Sequence, residues 1–237
     1  MTRYEMICAV IISATVAVAN AETEVMKIEM NDGSMQVVDI AKIKEITFDV
    51  RNDDGGDLQG HEAVDLGLSV KWATCNVGAT TPTDFGGYYA WGETEEKEVY
   101  TRENYIDPNP NHVDMNLCGT DKDVAHVKWG GSWRMPTYAE LNELVDNCNW
   151  TWTNIDGING YKVTGPNGNS IFMPAGGRKC DDPGYGGLSY DNANGYYRIG
   201  NHIGEYTYFI NFCKCCVDID RDYDYRTLGF SVRAVTD

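Results

Sequence analysis

The sequence predicts an α+β protein: a domain of antiparallel strands with one clear helix, preceded by a small β N-terminal module. Three observations predict it. Gly 25 and Pro 7 break the chain into short segments between turns. Tyr 15 and Trp 6 supply the flat, half-apolar side chains that suit a pleated surface. A single stretch, 137–148, carries clear helical spacing.

In chain order, the first element is not expected to be part of the fold. Arg3 opens a short polar head, Met6–Val18 is almost continuously apolar, and Ala19-Asn20-Ala21 places small residues where a signal peptidase reads. This reads as a secretory signal over 1–21. It is shorter than the roughly 20 apolar residues a bilayer span needs. The expected mature chain is 22–237, exported to the periplasm or cell surface, with no transmembrane segment.

Residues 22–50 form the small β module. Val25–Met30 alternates, Asn31-Asp32-Gly33-Ser34 supplies turn chemistry, Met35–Val38 returns, and Ile43–Phe48 reads as a third strand. Residues 51–61 hold Asp53, Asp54, Gly55, Gly56, Asp57 and Gly60 and read as a linker. The main domain is 62–237. Val64–Trp72 reads as a strand pair and Gly86–Gly92 as an aromatic strand. Tyr161–Thr164 and Ser170–Met173 flank a Gly165-Pro166-Asn167-Gly168 turn, and strands follow at Tyr206–Phe212 and Phe230–Val235. For the helix, Thr137 and Glu140 form a capping box after Pro136. Leu141, Leu144, Val145 and Cys148 then mark its buried face.

Charge excludes one class of partner. A net charge of −17 repels phosphate backbones, so no nucleic-acid binding is expected, and anionic membranes are disfavoured too. Cys75, Cys118, Cys148, Cys180, Cys213, Cys215 and Cys216 lie beyond the signal, so one or two disulfides would still leave a free thiol. Cys213-Lys214-Cys215-Cys216 lacks the two paired CxxC units of a zinc site, and no histidine follows it.

Five strings then carry a resemblance. They are Val64–Ala73 with Asn76–Ala79, Gly87–Glu93, Trp133–Leu141, Phe172–Gly177 and Gly229–Val235. In this order they resemble the Fibrobacter succinogenes major paralogous domain, an exported domain common in gut Bacteroidales. The resemblance covers most of 62–235. It implies a C-type-lectin-like fold, related to formylglycine-generating enzymes and to the variable proteins of diversity-generating retroelements. Segment 25–50 also resembles N-terminal modules of Bacteroidales surface proteins.

In the variable proteins, the C-terminal part of such a domain displays a changeable ligand surface. Here all of 196–227 except Glu205 and Lys214 are residue types reachable by adenine mutagenesis of an AAY codon. The stretch is also dense in the Tyr, Arg and Asp that suit a contact surface. The expected ligand-binding residues are therefore Arg198, Asn201, His202, Tyr206, Tyr208, Asp218, Asp220, Arg221, Asp222, Tyr223, Asp224, Tyr225 and Arg226. The expected partner is a protein or glycan ligand at a cell surface.

Two alternatives stand beside it. One is a structural subunit of a surface assembly. The other is a formylglycine-generating-type oxidase, but the residues around Cys213, Cys215 and Cys216 do not match that family's cysteine motif. No nucleophilic triad, phosphate loop or metal-protease helix occurs either, so the chain is not expected to be an enzyme.

No cofactor is expected, with calcium as the open possibility. Asp218, Asp220, Asp222 and Asp224 alternate, and in one strand they would share a face where an ion relieves their repulsion. Trp72, Trp91 and Trp133 read as core, whereas Trp150 and Trp152 are the tryptophans expected to be exposed.

Overall fold

The computed structural model describes residues 61–111, 113–180, 188–203, 206–220 and 225–237 in full, and 25–29, 35–39, 221–222 and 224 as backbone. The chain divides into two compact units, Met1–Val50 and Arg51–Asp237. In the first, β1 (Val25–Glu29) pairs antiparallel with β2 (Met35–Asp39), from Val25 opposite Asp39 to Glu29 opposite Met35. The expected signal segment, the 31–34 turn, the third strand at 43–48 and the linker up to residue 60 lie outside the described residues.

The second unit is α+β, mostly antiparallel. Its first strands fold back on each other as β3 (Ala63–Val64) and β4 (Lys71–Ala73), with Val64 opposite Trp72. The chain's last strand, β14 (Val235–Thr236), completes this sheet on the other side of β4, with Val235 opposite Trp72. Beyond it, β5 (Met115–Asn116) precedes two helices, α1 (Val124–Trp129) and α2 (Tyr138–Asn147). A meander follows, β6 (Asn149–Ile155), β7 (Ile158–Thr164) and β8 (Ser170–Pro174), then a short pair, β9 (Arg178–Lys179) and β10 (Leu188–Ser189). A second meander, β11 (Asn194–Ile203), β12 (Tyr206–Cys213) and β13 (Cys216–Asp222), is extended by β5 on the far side of β11. A 3-10 turn at Asp224–Thr227 leads into the final segment.

Helix α2 forms as its local sequence dictates. Thr137 accepts from the Glu140 amide while Glu140 accepts from the Thr137 amide, so two otherwise orphaned donors are satisfied reciprocally. Leu141 and Leu144 are fully buried on its inner face, each burial contributing roughly 1.5–3 kcal/mol. They meet Ile199, Ile210 and Phe212 of the second meander and Tyr161, Val163 and Ile171 of the first in one core. A second core gathers Trp91, Trp129 and Trp133 around α1.

The structure departs from the expected elements in four places. Helix α1 joins α2 as a second helix, held by an Asp123 cap whose carboxylate accepts from Ala125 and His126. Gly86–Gly92 is not a regular strand: it makes a single bridge, Tyr89 to Phe230, because Gly86 turns at φ +69° tight under the Val77 carbonyl. In Phe230–Val235 only the end is regular strand. Its amides and carbonyls bond residues 73, 77 and 89 on one side and 196 and 198 on the other, so it threads between elements rather than pairing along one. Trp150 and Trp152 are half-buried, each packed edge-on against Tyr161, and are not exposed.

Candidate functional site

The expected ligand surface maps onto the β11–β12–β13 meander and the 3-10 turn, and the sheet sorts it by face. Register places Arg198 opposite Phe209 and Phe209 opposite Asp220, while Asn211 lies opposite Asp218. Directly opposed residues share a face, so Tyr196, Arg198, Phe209, Asn211, Asp218 and Asp220 line one side of the sheet. Tyr206 and Tyr208 alternate to the other side, where Ile210, Phe212, Val217 and Ile219 pack into the core beneath α2.

Several expected contact residues are structural instead. Arg198 is 1 % exposed; its guanidinium donates to the carbonyls of Tyr89, Tyr225 and Leu228 and lies 4.0 Å over the Phe230 ring. Burial lowers its pKa to about 9, which still leaves it charged at neutral pH. His202 is fully buried, tilted against Trp91, with its Nδ1 3.1 Å from the Asn109 amide nitrogen. Arg226 is buried in an ion pair with Asp107 at 3.0 Å. Asn201 accepts from the Tyr138 amide at 2.7 Å and so anchors the start of α2. Tyr208 is half-buried in an edge contact with Tyr138. The density of Tyr, Arg and Asp in 196–227 suits a contact surface, yet at these positions it serves the interior. The fold uses their polarity internally: Arg198 and Asn201 bond backbone groups, while His202 and Arg226 meet the side chains of Asn109 and Asp107.

What faces solvent is a smaller set. Asp218 and Asp220 are exposed on β13, the edge strand, and Tyr206 is 39 % exposed on the opposite side of the sheet. For Arg221, Asp222 and Asp224 only the backbone is described, and Tyr223 lies outside the described residues. Asp218, Asp220 and Asp222 do share a strand, but Asp224 belongs to the 3-10 turn. The backbone therefore does not carry all four aspartates on one strand, the arrangement the calcium possibility required.

Beside the aspartates lies a group that the sequence did not single out. Arg178, on β9, sits among three tyrosine rings, 4.6 Å from the Tyr225 centroid, 5.1 Å from Tyr196 and 5.4 Å from Tyr190. Such stacking stabilises a guanidinium through the ring quadrupoles. Burial alone would lower its pKa, but the Tyr225 hydroxyl and the neighbouring phenols outweigh that and raise it. Arg178 Nε and Asn211 Oδ1 are both buried without a hydrogen-bond partner. Tyr190 is 52 % exposed at a positive φ of 62°, so one wall of the cage opens to solvent. Next to Tyr225 a cavity of about 260 Å³ is lined by Tyr100, Arg102, Glu103 and Leu228. A larger hollow, about 310 Å³, is lined by none of the expected residues and lies between Glu93, Lys97, Ile106 and Lys122.

The cysteines form the other grouping. None of the seven described is in a disulfide. Cys213, Cys215 and Cys216 bring their sulfurs together at the β12–β13 turn, 3.0 Å from Cys213 to Cys215 and 2.9 Å from Cys213 to Cys216. Among the described residues they are the one group of three or more His, Cys, Asp or Glu side chains placed to hold a metal ion.

Compared with family models, curated proteins and solved structures, the chain matches none. Among the described residues, no helix is long and apolar enough to cross a membrane.

Proposed function

We propose that this is an exported, non-catalytic ligand-binding protein with a C-type-lectin-like main domain, of the kind its five motif strings resemble. The contact surface is the exposed β13 edge of the β11–β12–β13 sheet together with the tyrosine cage beside it. The observation that carries this reading is solvent-facing Asp218 and Asp220 on the face that also carries Tyr196, the ring through which that face joins the open tyrosine cage around Arg178 of β9. Rigid aromatic area beside charged groups of both signs is the composition of a protein or glycan contact patch. Core-anchored strands keep the cost of ordering it on binding low.

The reading is narrower than the whole 196–227 segment. Diversification by a retroelement, if it acts here, is compatible with outward positions such as Asp218 and Asp220. It is not compatible with Arg198, His202 or Arg226, whose changes would strike buried networks.

The test is binding of the purified full chain to panels of immobilised glycans and of bacterial and host surface proteins, with Asp218→Ala/Asp220→Ala and Tyr190→Ala variants alongside. The expected result is a ligand whose affinity falls roughly tenfold or more in the variants, the range of a lost interface hot spot, with unchanged melting. A ligand retained in full by every one of these variants would place the contact elsewhere.

A further inference from the structure

The turn joining β12 to β13 departs from ordinary hairpin chemistry. Cys213 and Cys216 are directly opposed, so the loop between them is two residues, Lys214 and Cys215. Two-residue hairpin loops usually take mirror-type turns with positive φ, supplied by Asn-Gly or similar pairs, because these match the twist of the flanking strands. Neither Lys214 nor Cys215 takes a positive φ. The turn thus lacks its customary residues and its customary backbone. In their place it carries three thiols at the sheet's tip, with Cys215 exposed and Cys213 and Cys216 half-buried.

The tip is nonetheless well placed. The Tyr161 hydroxyl donates to the Cys213 carbonyl at 2.9 Å, and the Tyr161 ring is wedged between Trp150, Trp152 and Phe212. The backbone that carries the first sulfur is therefore fixed from the neighbouring sheet. All three sulfurs lie within 4.8 Å of one another.

We propose that Cys213, Cys215 and Cys216 form a binding site for one thiophilic divalent d10 cation, of the Zn²⁺ or Cd²⁺ class, held by three thiolates with its fourth position open to solvent. Metal–sulfur bonds of about 2.3 Å at tetrahedral angles put ligand sulfurs about 3.8 Å apart. At 3.0 Å from Cys213 to Cys215 and 2.9 Å from Cys213 to Cys216, two of the three sulfur pairs are within about 1 Å of that spacing. Soft thiolates favour such ions over the hard cations that an aspartate cluster would take. A bound ion would also close the turn covalently, supplying the constraint that Lys214 and Cys215 do not. The site depends on neither a disulfide nor the ligand surface above, and it stands if that reading fails.

The experiment uses the full chain, reduced and handled without oxygen, titrated with Cd²⁺ while the sulfur-to-metal charge-transfer band is followed. Zn²⁺ is then tested by competition. Expected is one tight equivalent per chain. The band should persist when Cys8, Cys75, Cys118, Cys148 and Cys180 are all replaced by Ser, and disappear in Cys213→Ser/Cys216→Ser. Cys215→Ser, at an exposed turn position, should weaken binding by at least the roughly 10- to 100-fold typical of losing an outer-shell partner. The proposal is overturned by a band that survives Cys213→Ser/Cys216→Ser. It is equally overturned by unchanged affinity in Cys215→Ser, or by a reduced chain that takes up no tight equivalent.

Discussion

Arg233 and Asn76 meet at the centre of the main unit, the guanidinium Nε donating to the amide Oδ1 at 2.9 Å. The same guanidinium donates to the carbonyls of Ala73, Thr74 and Phe172 at 2.8–2.9 Å and is only 1 % exposed. One side chain thereby ties together three of the sequence strings, those at 64–79, 172–177 and 229–235. Arg suits this position because its planar fork presents five donors in fixed directions, whereas Lys offers a single compact point of charge.

Arg233→Met should destabilise the domain by about 3–5 kcal/mol, the cost of leaving several buried acceptors unpaired at once. Arg233→Lys should recover less than half of that loss. Urea denaturation of the three proteins measures it, and a Lys variant as stable as the wild type would show that the fork geometry is unimportant.

Arg198 predicts a contrast within the segment first read as a surface. Arg198→Ala removes the donor to three carbonyls and opens a hole over Phe230, for an expected loss of about 2–4 kcal/mol. Asp218→Ala and Asp220→Ala, exposed on the edge strand, should change stability by no more than about 0.5 kcal/mol. Grafting a foreign 196–227 segment should consequently unfold the domain, while grafts confined to 218 and 220 should melt normally. Equal tolerance at 198 and 218 would remove the distinction.

The elements legible in the sequence were those specified locally. Thr137 and Glu140 sit three residues apart and cap α2 whatever surrounds them, and Gly165–Gly168 turns the chain between β7 and β8 as composition alone suggests. What was not legible depends on distant partners. The sequence cannot reveal that Arg198 meets carbonyls at 89, 225 and 228, or that Arg178 is enclosed by tyrosines from positions 190, 196 and 225. Polarity in a strand signals a need for partners, not exposure. Helix α1 escaped notice because six residues give too little periodicity to read, and its stability comes from Asp123, whose carboxylate also accepts from Gly119 and Met135. The three thiols are visible in the sequence, where the lack of paired CxxC units argues against a metal; the hairpin register is what sets Cys216 directly opposite Cys213.

Acid stability should report on Glu140. Burial pushes its carboxyl up, but the two-pronged contact with Arg134, at 2.8 and 2.6 Å, and the Thr137 amide outweigh that and hold it below the usual range. A carboxyl depressed by folding contributes stability that is fully present above its unfolded pKa, about 4.3, and is lost as pH falls through the folded value. Glu140→Gln should therefore cost about 1–2 kcal/mol at pH 7 and flatten the decline in stability between about pH 5 and pH 3. Parallel curves for variant and wild type across that window would assign the acid sensitivity to other groups.

Two glycines of one turn should behave differently, because one is constrained by space and the other by backbone. A β-carbon on Gly165 would lie 2.0 Å from the Leu66 carbonyl oxygen, and that carbonyl belongs to a loop pinned by Asn167 and Asn169 donating to Asp65. Neither side can yield easily, so Gly165→Ala should cost about 2–3 kcal/mol. Gly168 has open space around it but a φ of +90°, so Gly168→Ala meets only the backbone penalty, about 1 kcal/mol. Thermal melts of the two variants order them. If Gly168→Ala proves the more damaging, the contact between this hairpin tip and the 65–67 loop is not what holds the turn in place.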